Sequence, residues 1–469
     1  MQSAAAVPNE PHAVDLLVTD ADVVTLDAAG TVIRDGAIAV DGNRICWIGS
    51  ANEAKQRFRA ANTLSGPDRI VMPGLIDAHF HTAQQLLRGK LAALSRIRPL
   101  KAPVWKNYLI PFESILEPED VHLSGLIAYT NMIRVGTTCF AEAGGPFPDE
   151  MGRAAQEVGI RGFIALSTID QSERVGSAVP DSMMMTAQQA YDRNVDLVKR
   201  WHDGDRVKAW LALRQIIVCS PGLIQSMAQA ARDLKVKIHT HLCEGSYEID
   251  YALEKFGKRP TEYLDDLGVL GPHLHCAHSV LLSHEEVDLY AKHRLSACHC
   301  SFNNHIFGIP RLHEMWRRGI DIGLGTDGVT SWGTLDVFQV AHIARVGQQA
   351  VAGTPWHHRG PISSEELLTV ATNGGARALG IENEVGSLEV GKKADFLIVD
   401  SSEIDQMPVY DPLFVAACLV TGRDVRTVVV DGRIVMKERE LLTVDVGEIR
   451  AKLAIRQPEL MARFDAKIA

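Results

Sequence analysis

Pro73-Gly74-Leu75-Ile76-Asp77-Ala78-His79-Phe80-His81 decides how the chain is read. Residues 70–76 form a mostly apolar run, as a buried strand requires, and lead into two histidines one residue apart. On a strand, residues i and i+2 face one side. His79 and His81 therefore point the same way from the strand's carboxyl end. Two imidazoles so placed make a natural pair of metal ligands. Alone, the pair reads more readily as two polar residues of a βα loop. Later strands change the balance, because they end in further candidate ligands.

From 72 to 380, short apolar strands alternate with longer helical stretches. Strand ends are expected near His81, Glu142, Ser167, Arg214, His241, His278, His299 and Asp327. Helices are expected at 117–135, 191–201, 222–234 and 284–293. Eight β-then-α units in series define an α/β chain folded as a (β/α)8 TIM-like barrel. Active sites of that architecture sit where the strands end. Here every strand end is polar or charged, and histidines stand at four of them.

The flanks read differently. Residues 15–18, 23–26, 37–40 and 44–48 are strand-like, with Gly and Asp between them as in hairpin turns. Such a unit is too small to be complete. Its partner lies at the other end, in strands at 394–399 and 425–434, the latter turning at Asp431-Gly432. The expected organisation is a composite β-sandwich from both chain ends, its N-terminal part at 1–71 and its C-terminal part at 381–445. A hydrolase barrel at 72–380 is inserted between them, and a C-terminal helix at 446–469 serves packing or a dimer contact.

Composition narrows the function. The 469 residues are 46% hydrophobic, enough for a large core, and carry a formal net charge of −10. An acidic balance argues against a nucleic-acid partner. The eight cysteines are scattered through apolar runs, as reduced core residues of a cytosolic protein would be. Cys298-His299-Cys300 lacks the second Cys pair of a zinc ribbon. No signal peptide and no membrane-length apolar run is evident, so the expected location is cytoplasmic and no membrane partner is expected.

Four further strand ends carry chemistry. In His239-Thr240-His241-Leu242-Cys243-Glu244, His239 and His241 share a face, and Glu244 falls on the loop that follows. An imidazole ligand with a carboxylate beside it is what metal-assisted hydrolysis needs. His273, His275 and His278 crowd the sixth strand, and His299 ends the seventh, followed by Asn303, Asn304 and His305. The eighth ends in Gly325-Thr326-Asp327-Gly328, where Asp-Gly alone would be ordinary turn chemistry.

Taken in order, Pro-Gly-Leu-Ile-Asp-x-His-x-His, His-x-x-Glu, the sixth-strand His and Gly-Thr-Asp-Gly resemble the amidohydrolase superfamily. The likeness is to its mononuclear deaminase branch, which holds guanine, cytosine and S-adenosylhomocysteine deaminases and the triazine hydrolases. It covers residues 14–442. The resemblance implies one divalent metal, Zn²⁺ or else Fe²⁺, with His79, His81, His241 and Asp327 as ligands. Glu244 is then the proton shuttle that protonates a ring nitrogen, and Asp327 and His278 take the water's proton and orient the hydroxide. The fourth strand ends Leu211-Ala212-Leu213-Arg214, with no lysine to bridge two metals. His239 is left behind the ligands or in the core, and the roles of His275, His299 and His305 stay open.

The substrate is less sharply drawn. Gln84 and Arg214 resemble positions that hold a purine's carbonyl edge in guanine deaminase, though Arg214 reads equally well as half of a structural ion pair. In the S-adenosylhomocysteine branch that position is usually His, so Arg214 argues against that substrate. Two segments that line the pocket in the family depart from its pattern: Cys300-Ser301-Phe302-Asn303-Asn304, which carries Asn304, and Ser331-Trp332. Phe302, Trp332 and Trp105 could stack on a flat ring or fill the core. The expected activity is release of ammonia from an amino-substituted purine, pterin or triazine. Alternatives are a dechlorinating or amide-cleaving hydrolase on the same site, and a non-catalytic binding protein on the same barrel. A homo-oligomer, such as a dimer, is common in the family.

Overall fold

The computed structural model describes residues 11–172, 178–330, 333–358 and 360–469. The barrel strands are β1 (Leu75–Phe80), β2 (Thr137–Glu142), β3 (Arg161–Ile164), β4, β5 (Ile238–Leu242), β6 (Leu274–His278), β7 (Ser296–His299) and β8 (Asp321–Leu324). β4 comes in two pieces, Val207–Ala209 and Leu211–Leu213, interrupted at Trp210. The first piece pairs with β3 and the second with β5, so the parallel sheet closes on itself. Helices alternate with the strands, among them Pro118–Arg134, Ala187–Trp201, Pro221–Leu234 and His284–His293. All six residues of β1 are buried, as a strand covered on both faces must be.

The chain ends build one nine-stranded mixed sheet. Arg69–Pro73 lies between His12–Val24, which it meets in parallel, and Phe396–Asp400, which it meets antiparallel. That strand joins both ends of the chain and hands it directly into β1. Ile38, Val40 and Ile45 from one end share a core with Phe396, Ile398 and Val429 from the other. The two early strands read at 15–18 and 23–26 are one bent strand, His12–Val24. Its register shifts between Thr19 and Val23, around Asp20 at φ +61°, and this bulge gives the sequence its false break. Two short helices, Ala51–Arg57 and Pro412–Cys418, escaped the sequence reading.

The tail helix, Val446–Ile468, packs along the barrel. Arg456 Nε donates to Asp120 Oδ1 at 2.6 Å, and Phe464 meets Phe112 edge to face at 5.5 Å. Phe112 belongs to the short helix Ile110–Glu113, so the tail braces the segment that carries Glu113. Among the described residues, no helix is long and apolar enough to cross a membrane.

Candidate metal centre and active site

The carboxyl ends of β1, β5, β6 and β8 meet at one point. Their backbones leave the strands abruptly: Cys243, His278, Ser279 and Asp327 all take positive φ, between +49° and +74°. Each such non-glycine residue costs about 1 kcal/mol or more and persists only where its surroundings hold it. Asp327 N–H donates to His79 O at 2.9 Å, which locks the β8 exit against β1.

Four side chains converge there. His79 Nε2 lies 3.3 Å and His81 Nε2 3.5 Å from Asp327 Oδ1. His81 Nε2 lies 3.2 Å from His241 Nε2. The ligand-type atoms of His79, His81 and His241 all fall within 4.8 Å of one another. Outer contacts fix the tautomers. His241 Nδ1 faces Arg214 O at 2.7 Å, where only an N–H is favourable, so its Nε2 keeps a lone pair. His79 Nδ1 lies 2.8 Å from His239 Nε2, and with His79 as the donor its Nε2 is free in the same way. Burial, then neighbouring imidazoles, holds His81, His239 and His241 well below the usual histidine range. Burial also lowers His79, against Asp327. Neutral rings with lone pairs aimed at one carboxylate are the donor set of a divalent metal, and the residues fit one.

Cys300 Sγ also comes within 4.8 Å of ligand atoms of His79, His278 and Asp327. Burial and the Cys298 thiol beside it raise its pKa well above the ordinary thiol value.

Glu244 and His278 flank the cluster, with Glu244 Oε1 4.0 Å from His278 Nε2. Tyr247 O–H donates to the other oxygen, Oε2. Burial works against charge on His278, while Glu244, the Cys300 thiol and Asp327 lift it to about 10. Asn304 limits that rise. Its Oδ1 accepts from Cys300 N–H at 2.9 Å, so its amide NH₂ faces His278 Nδ1 at 3.0 Å. A donor there disfavours a second ring proton, and the hydrogen bonds favour the neutral Nε2–H form.

The cluster opens into a cavity of ≈ 310 Å³. Gln84, Arg214 and Trp105 line it, as do Leu100, Leu109 and Phe307. Arg214 is tied into the cavity wall. Its Nη1 donates to Glu113 Oε2 at 2.7 Å and to Ser167 Oγ at 3.2 Å, and its guanidinium lies 5.9 Å from the Trp105 ring centroid. Gln84 Nε2 donates to Glu113 Oε1 at 2.8 Å, while Gln84 Oε1 is buried without a partner. Glu113 thus orients both residues, and the sequence reading missed it. The signal was a lone carboxylate closing the apolar run Ile110-Pro111-Phe112, where a buried acid needs a buried cation.

Two of the expected pocket residues lie elsewhere than on the cavity lining. Phe302 is not among the residues lining the cavity, and Asn304 is engaged with His278 and Cys300 instead. Ser301–Asn304 is helical, and Asn303, Ile306 and Phe307 line the wall. Trp332 lies outside the described residues. Asn303 Nδ2 also donates to Asp327 Oδ2 at 3.2 Å. Of the open histidines, His275 spans Ser296 Oγ at 3.1 Å and Ala78 O at 2.9 Å, as a tie between strands. His299 is held neutral, down to about 3, by burial, and neither ring nitrogen has a partner among the described residues. His305 packs against Gly347.

Comparison with known families matches residues 70–435 to the Amidohydrolase family. The 5-methylthioadenosine/S-adenosylhomocysteine deaminase of Moorella thermoacetica is 31% identical over 445 residues, 94% of this chain and 98% of that one. The protein of the same name from Desulfitobacterium hafniense strain Y51 is 32% identical over 422 residues, 88% of this chain and 92% of that one. Among solved structures, an adenosine deaminase from Xanthomonas campestris with bound zinc is similar at a TM-score of 0.86 and 27% identity, covering 97% of this chain and all of that one. Guanine deaminase of E. coli shares the fold at a TM-score of 0.76 and 22% identity, over 90% of this chain and 99% of that one.

Proposed function

The chain belongs to the amidohydrolase family, and on that premise we propose that it is a zinc-dependent deaminase of an amino-substituted purine, free or as a nucleoside. It is a hydrolase acting on C–N bonds, as its family and deaminase relatives indicate. The observation that carries the finer reading is the convergence of His79, His81, His241 and Asp327 beside Glu244 in a cavity that Trp105 also lines.

Those four side chains would hold the ion, and imidazole with carboxylate suits Zn²⁺, with Fe²⁺ next. A divalent ion there brings the pKa of a water towards neutrality and so supplies the nucleophile. No lysine ends β4, which favours one ion over a bridged pair. Trp105 offers a face for a planar ring, and Gln84 Oε1, left without a partner, offers an acceptor to a ring or amino N–H. Glu244 Oε1 accepts the proton that the attacking water gives up and delivers it to a ring nitrogen as the adjacent carbon is attacked. His278 Nε2–H orients the attacking oxygen. A second proton through Glu244 then lets the amine leave as ammonia. Because Glu113 neutralises Arg214, the charge at that position no longer speaks against a nucleoside.

Ammonia release from adenosine, 5′-methylthioadenosine, S-adenosylhomocysteine, guanine, a pterin and an aminotriazine tests the proposal. Turnover of one purine by the zinc-loaded protein, lost in Glu244→Gln with metal content unchanged, is the expected result. Turnover of the triazine alone, or chloride release from a chlorotriazine without ammonia from any substrate, would overturn it.

A further inference from the structure

A second cavity, of ≈ 1010 Å³, opens at the opposite end of the barrel. Its rim comes from segments entering the strands: Arg206 and Lys208 at β4, Lys235 and Lys237 before β5, and His273 before β6. That end of a barrel serves stability and not chemistry, yet this one is built unlike a packing surface. Eight lysines and arginines line it against three carboxylates, Asp203, Asp205 and Glu384, in a chain whose overall charge is −10.

Pairing does not cancel the excess. Arg161 is held by Asp395 and Asp431, Lys393 by Asp431, and Arg44 by Glu384. Arg206, Lys208, Arg232, Lys235 and Lys237 have no carboxylate within 4.0 Å among the described residues. Lys237 Nζ is the best satisfied of them, donating to Pro272 O and Ser296 Oγ at 3.1 Å each. One donor is orphaned: Arg206 Nε is buried with no partner among the described residues. A buried N–H without an acceptor costs about 1–3 kcal/mol, and an arginine so left is the residue type that recognises phosphate. The potential registers on His273, which burial, then Arg232 and Lys237, push down to about 4. A concave surface of one sign focuses field and concentrates counter-ions.

We propose that this cavity is a binding site for a small, multiply charged phosphate, with Arg206 as its fork and Lys208 and Lys235 as its rim. Several unpaired cations call for several negative charges on one ligand, which phosphate groups supply and a lone carboxylate does not. The source is either a free inorganic phosphate chain or the phosphates of a nucleotide. The site stands apart from the metal cluster and does not depend on the proposed reaction.

Calorimetric titration of the metal-loaded full chain with inorganic pyrophosphate, and separately with ADP, tests this at ~150 mM salt, where distant charges are screened. Lys208 and Lys235 are exposed, so Lys208→Ala/Lys235→Ala is expected to fold normally. One site per chain is expected, weakened at least tenfold by that double variant and again by Arg206→Gln, with ammonia release unchanged. Tighter binding of ADP would assign the site to a nucleotide, and equal binding to the phosphates alone. No heat up to ~10 mM ligand, or equal affinity in wild type and both variants, would overturn the proposal. The variants also separate this site from pyrophosphate taken up at the metal centre, since none of them touches a proposed ligand.

Discussion

His239 Nε2 stands 2.8 Å from His79 Nδ1, with the two rings within 9° of parallel. The contact gives a role to a histidine that the sequence left unassigned. His79 can turn a lone pair towards Asp327 only if its proton sits on Nδ1, and His239 Nε2 is placed to accept that proton. His239 pays for this with its own Nδ1, which is buried without a partner.

His239→Leu removes the acceptor and frees His79 to adopt the other tautomer. Loss of such an outer partner typically weakens metal binding about 10–100-fold. His239→Gln offers an oxygen near the same place and is expected to restore much of the loss. Competition with a chelator reads the affinity directly. A leucine variant that holds zinc as tightly as wild type would show that the contact only fills space.

Glu113 and Arg214 form a second pair with consequences. Their side chains are 1% and 5% exposed, and Gln84 shares the carboxylate. Removing one member of a buried ion pair costs about 3–5 kcal/mol, because the other is left charged and unpaired. Glu113→Ala should therefore lower unfolding stability by roughly that amount, and Glu113→Leu/Arg214→Met should recover most of it. Urea denaturation measures both. If the single and double variants lose the same stability, the pair is not what holds this wall of the cavity.

Much of this was legible in the chain. His79 and His81 announce themselves through a spacing of two, and His241, His278 and Asp327 through their place at strand ends. Periodicity and order along the chain carry that information. Glu113 could not be found so, because it meets Arg214 across 101 residues of sequence from a turn with no regular spacing. Phe302 and Asn304 are named from the family's segment, and a segment's place in a family does not say which of its side chains face the cavity once the chain turns helical at Ser301. The bulge at Asp20, by shifting register inside one strand, made it read as two.

Glu142, at the end of β2, makes stability depend on pH. Burial raises its carboxyl to about 8, against hydrogen bonds to Oε2 from the Thr82 hydroxyl and from Thr82 N–H at 2.9 Å. An unfolded chain holds it at the ordinary value of 4.5. Between these values the folded protein binds the extra proton, so unfolding free energy falls as pH rises. The group's contribution is full below about 4.5 and gone above about 8. Glu142→Gln keeps the shape without the titration. Its melting temperature should fall less than that of wild type across this window. Parallel curves for the two proteins would show that Glu142 is already ionised in the folded state.

Tyr247 and Glu244 bear most directly on turnover. The Tyr247 hydroxyl holds Glu244 Oε2, which leaves Oε1 as the oxygen facing His278 and the cavity. Burial, then Glu244 and Glu248, keeps the phenol proton on well above its ordinary range, so the donor persists through any working pH. A hydrogen bond to a charged group is worth about 1.5–3 kcal/mol, and losing it lets the carboxylate rotate away from the ring nitrogen it must serve. Tyr247→Phe should lower kcat at least ~10-fold while leaving metal content unchanged. Glu244→Gln should go further and abolish nearly all turnover, since it removes the proton carrier and not only its support. Steady-state kinetics on the best purine, with zinc measured on the same samples, separates the two. An unchanged kcat in Tyr247→Phe would mean that Glu244 is positioned by the cluster alone, and a Glu244→Gln protein that still releases ammonia would move the proton transfer to His278.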